Sequence, residues 1–282
     1  MVKSHAALSS LGKAHINYHA YDDVENMKRF DSESFQQYCQ SKLDSCDKHV
    51  KFIKEHCVNN NASWGGNIVE IGSGNSKLLI NLEQSGVLNS AIGYELSESR
   101  NRFAEAFCTH EGVSCIENVC GDFLDGEVTG NADLVIAVDI VAQLVSPTNP
   151  EAENKMLDWI YNQCKKNGFA LFELWDFEKI KAQLALSEGK LNVWEAFSKE
   201  DPFEFCLATL SETGERDILW QKKFLKRDST ERSFFEHVLR PYDRDDFCQL
   251  LKRVGFAQTI VYEHWNDDQN GEAGEYIVLA RK

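Results

Sequence analysis

Apolar and aromatic positions recur at helical spacing over residues 32–57, which predicts one long amphipathic helix before the first strand. Beyond it, short β-branched runs alternate with helical stretches. The predicted strands cover residues 67–71, 91–95, 114–117, 132–138 and 169–174, and the predicted helices cover residues 77–84, 98–110 and 151–165. Parallel strands cannot be joined by tight turns, so this alternation predicts an α/β fold with a doubly wound, mostly parallel sheet.

The alternation of predicted strands and helices ends after residue 175. Two runs that alternate apolar and polar residues, 203–210 and 217–225, flank a turn that contains Gly214 and predict a β-hairpin. A third strand is predicted over residues 234–239. The remaining predicted elements are helices over 178–186 and 244–254 and two closing strands over 257–264 and 276–280.

These elements predict one enlarged domain with additions. Residues 65–282 form the α/β domain, and residues 176–242 are a cap insertion within it. Residues 1–64 are predicted to be an N-terminal helical segment.

The charge of the chain bears on its partners. The 30 Lys and Arg residues stand against 45 Asp and Glu residues, a formal net charge of −15. A protein that neutralises nucleic-acid phosphates needs a local excess of basic residues, so the composition argues against nucleic acid as a substrate.

The cysteines and the hydropathy bear on the compartment. Nine cysteines are scattered without a C-x-x-C pair, a pattern typical of reduced thiols in the cytoplasm. No run approaches the ~20 apolar residues of a membrane span, and the N-terminus lacks the apolar core of a signal peptide. We therefore expect a cytoplasmic protein with no membrane partner.

The strongest local signal for chemistry is a glycine turn. Glu70 is followed by Gly72, Ser73 and Gly74, and a helical run begins directly afterwards. A strand that leads through glycines into a helix lets the backbone approach a ligand closely, as in nucleotide-binding α/β folds. Lys77 stands where dinucleotide-binding proteins carry a third glycine, and Glu70 suits a cationic ligand group better than a pyrophosphate.

With these residues the chain resembles the class I S-adenosylmethionine-dependent methyltransferases, whose first motif reads acid-x-Gly-x-Gly. The resemblance implies a Rossmann-like methyltransferase fold, with a mostly parallel seven-stranded sheet whose last strand is antiparallel. It also implies S-adenosyl-L-methionine as cofactor. It also implies that Glu95, at the end of the second strand, binds the ribose hydroxyls, with Leu96 beside it. Asp122 would accept a hydrogen bond from the adenine amino group, and Phe123 would cover the ring.

The resemblance extends to the fourth strand, which ends in Asp139. In the family this strand end faces the methyl donor and the substrate, so Asp139 is a candidate for both cofactor binding and catalysis. Gln143 stands where a branch acting on small molecules has a histidine. Trp175, Asp176 and Phe177 replace the Asp-Asn pair of metal-dependent relatives, so no catalytic metal is expected.

Substrate-side residues are predicted from two clusters. The first is Tyr18, His19 and Tyr21 in the N-terminal segment, residues 1–64, which the resemblance implies to cover the cofactor pocket. The second is His237, Arg240 and Tyr242, where the cap insertion rejoins the α/β domain. Both clusters could equally be structural, the first as a surface segment and the second as strand residues and rim ion pairs. We take His237 and Tyr21 as candidate catalytic residues, His237 as a general base. The candidate substrate-binding residues are Tyr18, His19, Arg240 and Tyr242.

Together these features predict an enzyme that transfers a methyl group from S-adenosylmethionine to a nitrogen or oxygen of a small molecule. We expect a monomer or a homodimer. Two alternatives remain open: an NAD(P)-dependent oxidoreductase on a Rossmann-like sheet, and a non-catalytic scaffold that keeps the cofactor pocket.

Overall fold

The structure is a computed structural model, and it describes residues 25–197, 203–213, 216–227, 232–265 and 274–282. The strands, numbered along the chain, form a seven-stranded and a four-stranded sheet. Tyr18, His19 and Tyr21 lie outside the described residues.

The seven-stranded sheet is the centre of the fold. It contains β1 (Asn67–Ile71), β2 (Ser90–Glu95), β3 (Ile116–Cys120), β4 (Ala132–Ala137), β5 (Cys164–Trp175), β10 (Gln258–Tyr262) and β11 (Glu275–Arg281). The strand order is β10-β11-β5-β4-β1-β2-β3; β1 to β5 are parallel, and β11 is antiparallel to both neighbours. This sheet confirms the predicted α/β fold class. It also brings the carboxyl ends of β1, β2, β4 and β5 to one edge.

Helices cover both faces of this sheet. They are α1 (Ser32–Asp44), α2 (Asp47–Ile53), α3 (Lys77–Gln84), α4 (Glu98–Glu111), α5 (Val141–Val145), α6 (Ala152–Gln163), α7 (Phe177–Leu186) and α8 (Arg244–Val254). On one face, α6 and α8 bury Ile160 and Phe247 in an apolar cluster with β4 and β5. On the other face, α2 and α3 bury Ile53 and Leu79 against Ile68 of β1. Burial of these apolar side chains is the main stabilisation of the layers.

The prediction of one helix over residues 32–57 is wrong. α1 ends at Asp44, α2 begins at Asp47, and Lys54–Val58 forms a π-helical turn. α1 buries Leu43 in a cluster with α4, whereas α2 buries Ile53 in the cluster below β1. Because these two clusters are separate, the break in the helix lets each half bury its own apolar face.

The four-stranded sheet is the cap, with strands β6 (Lys190–Ala196), β7 (Phe203–Glu212), β8 (Ile218–Lys226) and β9 (Arg232–Leu239). The predicted hairpin is confirmed as β7 and β8, and β9 is the predicted third strand. β6 is absent from the predicted strands. This edge strand exposes most of its side chains, with Trp194 67% exposed, so it lacks the alternation that marks a half-buried strand.

The cap packs against the carboxyl end of the central sheet. Ile140, which follows β4, and Phe177 of α7 are buried in one apolar cluster with residues of β7, β8 and β9. Trp175 at the end of β5 lies edge-to-face with Trp220 of β8, with ring centroids 5.0 Å apart. These contacts place the cap beside the strand ends that carry the predicted chemistry.

The structure also bears on the state of the cysteines and on membrane-spanning helices. All nine cysteines are free thiols, and most of them are buried. Among the described residues, no helix has the length and apolarity that crossing a bilayer requires.

Candidate active site

The turn after β1 needs its glycines. Gly72 and Gly74 have φ angles of 70° and 58°, a left-handed backbone that side chains strain. The amides of Gly72 and Ser73 both donate to the Tyr94 carbonyl, at 2.8 and 3.0 Å. A Cβ atom on Gly72 would lie 2.6 Å from the Val141 side chain, and one on Gly74 would overlap the Arg100 guanidinium. Both positions at this strand end therefore require glycine.

Glu70 is a buried carboxyl group beside this turn. Its side chain is 3% exposed, and its Oε2 atom has no hydrogen-bond partner. Burial, followed by the Asp139 carboxylate, raises the pKa of Glu70 to about 8, while Lys77 and Arg100 oppose this shift. A buried, unpartnered carboxyl oxygen is costly unless a ligand completes it, so Glu70 marks a place for a hydrogen-bond donor or a cation.

Glu70 should make folding stability depend on pH. The unfolded chain releases the Glu70 proton near pH 4.5 but the folded protein only near pH 8, so the free energy of unfolding should fall as pH rises between these values. Glu70→Gln removes this contribution. We expect the variant to lose less stability between pH 5 and pH 8.5, by on the order of 2 kcal/mol. Urea unfolding at both pH values measures the difference, and an identical pH dependence in both proteins would contradict the assignment.

Glu95 lies at the end of β2, next to the glycine turn. It is 4% exposed, its Oε1 atom accepts the Ser97 amide at 2.7 Å, and its Oε2 atom is 3.5 Å from Nη1 of Arg100. The neighbouring Leu96 is 47% exposed, an unusual position for a large apolar side chain at a strand end. A buried carboxylate such as that of Glu95 can accept hydrogen bonds from ribose hydroxyls, and an exposed apolar side chain such as that of Leu96 can contact an adenine ring.

Arg100 and Glu25 are site residues that the sequence analysis missed. The Arg100 Nε atom donates to Glu25 Oε2 at 3.1 Å, and Asn75 Nδ2 donates to Glu25 Oε1 at 2.7 Å. Glu25 is 4% exposed and is the first described residue. The network thus joins the start of the described chain to both the glycine turn and Glu95. Glu25 is 75 residues from Arg100, so no local motif could have revealed it.

Asp122 and Phe123 follow β3. The Asp122 Oδ1 atom accepts the Leu124 amide at 3.0 Å and caps the short 3-10 helix Phe123–Asp125. Phe123 is 7% exposed and lies edge-to-face with Trp159, with ring centroids 5.1 Å apart. Both residues therefore have structural contacts of their own, and their predicted contacts with adenine stay predictions.

Asp139 has an unusual backbone just after β4. Asp139 and Ile140 have φ angles of 54° and 58°, and the Asp139 side chain is exposed. The Asp139 amide donates to Glu173 Oε2 at 2.9 Å. Consecutive left-handed residues without glycine store strain, which in proteins concentrates at functional sites. The turn presents the Asp139 carboxylate outward at the sheet edge shared with Glu70.

Gln143 ties this turn to β5. Its Nε2 atom donates to the Trp175 carbonyl at 3.2 Å, and its Oε1 atom accepts the Trp175 amide at 2.9 Å. Its own carbonyl accepts the Arg240 amide at 2.9 Å. Gln143 is fully buried and so links α5, β5 and the end of the cap.

His237 is enclosed within the cap. It is 6% exposed, and its ring centroid is 4.0 Å from that of Phe235 and 6.5 Å from that of Trp220. Burial lowers the pKa of His237 to about 4, so the imidazole is neutral at pH 7. A general base works best with a pKa near the operating pH, so the catalytic role of His237 stays a prediction without support from this geometry.

Arg240 and Tyr242 both contact acidic side chains. The Arg240 guanidinium binds Asp217 through two hydrogen bonds, at 2.8 and 3.0 Å. The Tyr242 hydroxyl donates to Glu153 at 2.6 Å and contacts Ser146 Oγ at 2.5 Å. Arg240 also lies 3.7 Å from Glu153. These contacts anchor the end of the cap to the main domain, and substrate binding by either residue stays a prediction.

Three further residues missing from the sequence analysis lie near Asp139: Glu173, Trp265 and His49. The Trp265 indole donates to Glu173 Oε1 at 2.5 Å, and the His49 ring is 4.4 Å from that of Trp265. Burial lowers the pKa of His49 to about 4. Within the described residues, no group of His, Cys, Asp and Glu side chains could hold a metal ion.

The site residues fit S-adenosylmethionine. The unpartnered oxygen of Glu70 leaves a place for a cationic group or a hydrogen-bond donor. The glycine turn beside it leads from a strand into a helix, a place where α/β folds bring backbone close to a ligand. Glu95 and the exposed Leu96 offer an acid and an apolar surface one strand away. These features lie at adjacent strand ends, where open α/β sheets bind their ligands.

Comparison with known sequences gives one distant relative. No protein-family model matches the chain. The carboxy-S-adenosyl-L-methionine synthase of Nautilia profundicola is 24% identical over 232 residues, which covers 79% of this chain and 86% of that protein.

Comparison with solved structures gives a broader likeness. An S-adenosylmethionine-dependent methyltransferase from Clostridium acetobutylicum has a TM-score of 0.68 and 18% identity, covering 93% of this chain and 96% of that one. CalS10, an amino pentose methyltransferase from Micromonospora echinaspora solved with its S-adenosylmethionine, has a TM-score of 0.60 and 14% identity, covering 90% and 98%. At these identities the likeness concerns the fold, and it confirms the predicted Rossmann-like architecture.

Proposed function

We infer, from the class I S-adenosylmethionine-dependent methyltransferase fold of this chain, that it is an enzyme that transfers a methyl group from S-adenosylmethionine to a nitrogen or oxygen of a small molecule. The observation that carries the proposal is the convergence of Glu70, Gly72, Gly74 and Glu95 at adjacent strand ends. Glu70 is buried there with an unpartnered oxygen, which a cationic cofactor would satisfy.

S-adenosylmethionine supplies an electrophilic methyl group on a sulfonium sulfur, so the chain must mainly bind, orient and exclude water. The glycine turn offers backbone close to the cofactor. Glu70 offers its unpartnered carboxyl oxygen to the cofactor's amino group, whose positive charge favours the ionised form of Glu70. Arg100 offers a positive charge to its carboxylate, and Glu95 accepts hydrogen bonds from the ribose hydroxyls. None of these roles requires a catalytic triad.

Asp139 is the residue we assign to the acceptor. Its carboxylate is exposed at the carboxyl end of β4, between the glycine turn and the cap. A carboxylate there can accept a hydrogen bond from an amine or a hydroxyl and orient its lone pair toward the methyl group. It can also receive the proton that the acceptor loses.

The cap and the N-terminal segment are where we place acceptor specificity. Trp220 of the cap packs edge-to-face against Trp175 at the end of β5, so aromatic side chains lie where the cap meets the strand ends. Aromatic faces bind small apolar or cationic groups well. We also propose that residues 1–64 cover the pocket, that the protein is a monomer or a homodimer, and that it is located in the cytoplasm.

A second candidate function follows from the relative in Nautilia profundicola, which is a carboxy-S-adenosyl-L-methionine synthase. An enzyme of that kind places a negative carboxyl group on the cofactor. Here Glu70, Asp139 and Glu173 are three acids near one strand edge, and burial with mutual repulsion already raises the pKa of Glu70 and of Glu173. Further negative charge is disfavoured there, so we favour methyl transfer to a neutral or cationic acceptor.

The test is incubation of the full chain with methyl-labelled S-adenosylmethionine and a panel of small amines and alcohols, followed by mass spectrometry. The proposal predicts S-adenosylhomocysteine together with an acceptor that has gained one labelled methyl group. A carboxylated cofactor in the presence of small carboxylic acids would instead support the second candidate. Reduction of NAD(P) by a substrate would support an oxidoreductase.

A further inference from the structure

The backbone after β4 is strained at Asp139, the residue that the proposed function assigns to the acceptor. Asp139 and Ile140 both have a left-handed backbone, and Ile140 is β-branched, the residue type least suited to it. Each such residue costs on the order of 1 kcal/mol or more, so the surroundings must stabilise the turn. The Ile140 side chain is 5% exposed within the cap cluster, which stabilises one half of it.

Glu173 of β5 stabilises the other half. Its carboxylate accepts two hydrogen bonds, from the Asp139 amide at 2.9 Å on Oε2 and from the Trp265 indole at 2.5 Å on Oε1. Trp265 is itself 6% exposed and packs against the rings of His49 and Phe52 of α2. The carboxylate is thus held from two sides in one orientation.

We propose that Glu173 is a positioning residue for the transfer reaction: its hydrogen bond to the Asp139 amide holds the left-handed turn that presents the Asp139 carboxylate to the acceptor, and Trp265 holds Glu173 in place. This inference rests on the proposed function. Glu173 is buried and both of its oxygens are occupied, so it acts on the acceptor only through Asp139.

The charge state of Glu173 gives this role a signature in pH. Burial, followed by the Asp139 carboxylate, raises the pKa of Glu173 to about 7, and Glu275 of β11 adds to the shift. Three other titratable groups interact electrostatically with Asp139 or with each other beside it: Glu70, Lys77 and His49, of which burial keeps His49 neutral at pH 7. Protonation of Glu173 turns one accepting oxygen into a donor, so either the Asp139 amide or the Trp265 indole then loses its acceptor. The turn is therefore best held above about pH 7.

The experiment compares the wild-type chain with Glu173→Gln and Trp265→Phe, using Glu178→Gln, an exposed acid of α7, as the matched control. It measures affinity for S-adenosylhomocysteine by calorimetry, kcat and KM for methyl transfer across pH, and amide hydrogen exchange of the peptide that contains Asp139. For Glu173→Gln we expect faster exchange at that peptide, affinity within about threefold of wild type, and kcat lower by about 30- to 100-fold, as for small misplacements of reacting groups.

The pH profiles separate positioning from a merely structural role. Wild-type kcat should fall as pH drops through about 7, and this fall should be absent in Glu173→Gln. In Trp265→Phe the carboxylate loses a donor, so the fall should move to higher pH. Unchanged exchange and unchanged kcat in Glu173→Gln would overturn the proposal while leaving the methyltransferase assignment intact. If the wild type binds no cofactor, the proposed function fails. Hydrogen exchange would then still report whether Glu173 holds the turn at Asp139.

Discussion

Replacement of Glu95 with alanine should weaken the binding of S-adenosylmethionine about 100-fold. We propose that the Glu95 carboxylate accepts hydrogen bonds from two ribose hydroxyls. Each hydrogen bond to a charged group contributes about 1.5–3 kcal/mol. A loss of about 1.4 kcal/mol lowers affinity tenfold, so the loss of both bonds accounts for the expected effect. Isothermal titration with S-adenosylmethionine measures the dissociation constant directly.

Two controls make this result interpretable. Glu117→Ala removes an exposed acid from the neighbouring strand β3 and should leave affinity unchanged. Glu95→Gln keeps an acceptor for the Ser97 amide but loses the negative charge, so its affinity should lie between those of the wild type and Glu95→Ala. Equal affinity in the wild type and Glu95→Ala, with both proteins folded, would place the ribose elsewhere.

Replacement of Asp139 with asparagine should lower kcat about 100-fold and leave cofactor affinity within about threefold of wild type. Asparagine is nearly isosteric and keeps the backbone amide that donates to Glu173, so the turn is preserved. It removes the negative charge and the ability to take a proton from the acceptor. Steady-state kinetics with the acceptor found in the labelling experiment measure the effect.

The matched control for Asp139 is Asp158→Asn, an exposed acid of α6. It should keep wild-type kcat, because Asp158 is absent from every contact described at the strand ends. A parallel loss of cofactor affinity in Asp139→Asn would assign Asp139 to cofactor binding alone. Unchanged kcat would remove it from the reaction.

Local signals explain which elements could be predicted. α3 and α8 have the predicted bounds, residues 77–84 and 244–254, because glycine or polar residues flank clear helical periods. α8 begins after Asp243 and ends at Val254, directly before Gly255. The break between α1 and α2 has no such signal. It follows from burial in two separate clusters, which only the folded chain reveals.

The candidate site likewise has one half that local sequence signals predict and one half that only the folded chain reveals. Glu70, Gly72 and Gly74 are neighbours in sequence, and Glu95 closes the next strand, so motif spacing could predict this half. The contacts around Asp139 join distant residues instead. Glu173 lies 34 residues from Asp139, and Trp265 lies 92 residues from Glu173. Such pairs are created by strand order, and a single sequence carries no pattern for them.

Calorimetric titration of the full chain with S-adenosylmethionine and, separately, with NAD shows whether the carboxyl ends of β1 and β2 bind S-adenosylmethionine through Glu70, Glu95 and the glycine turn. We expect saturable binding of S-adenosylmethionine with one site per chain, and no heat of binding with NAD. Binding of NAD, or no binding of S-adenosylmethionine by the folded wild-type chain, would contradict it.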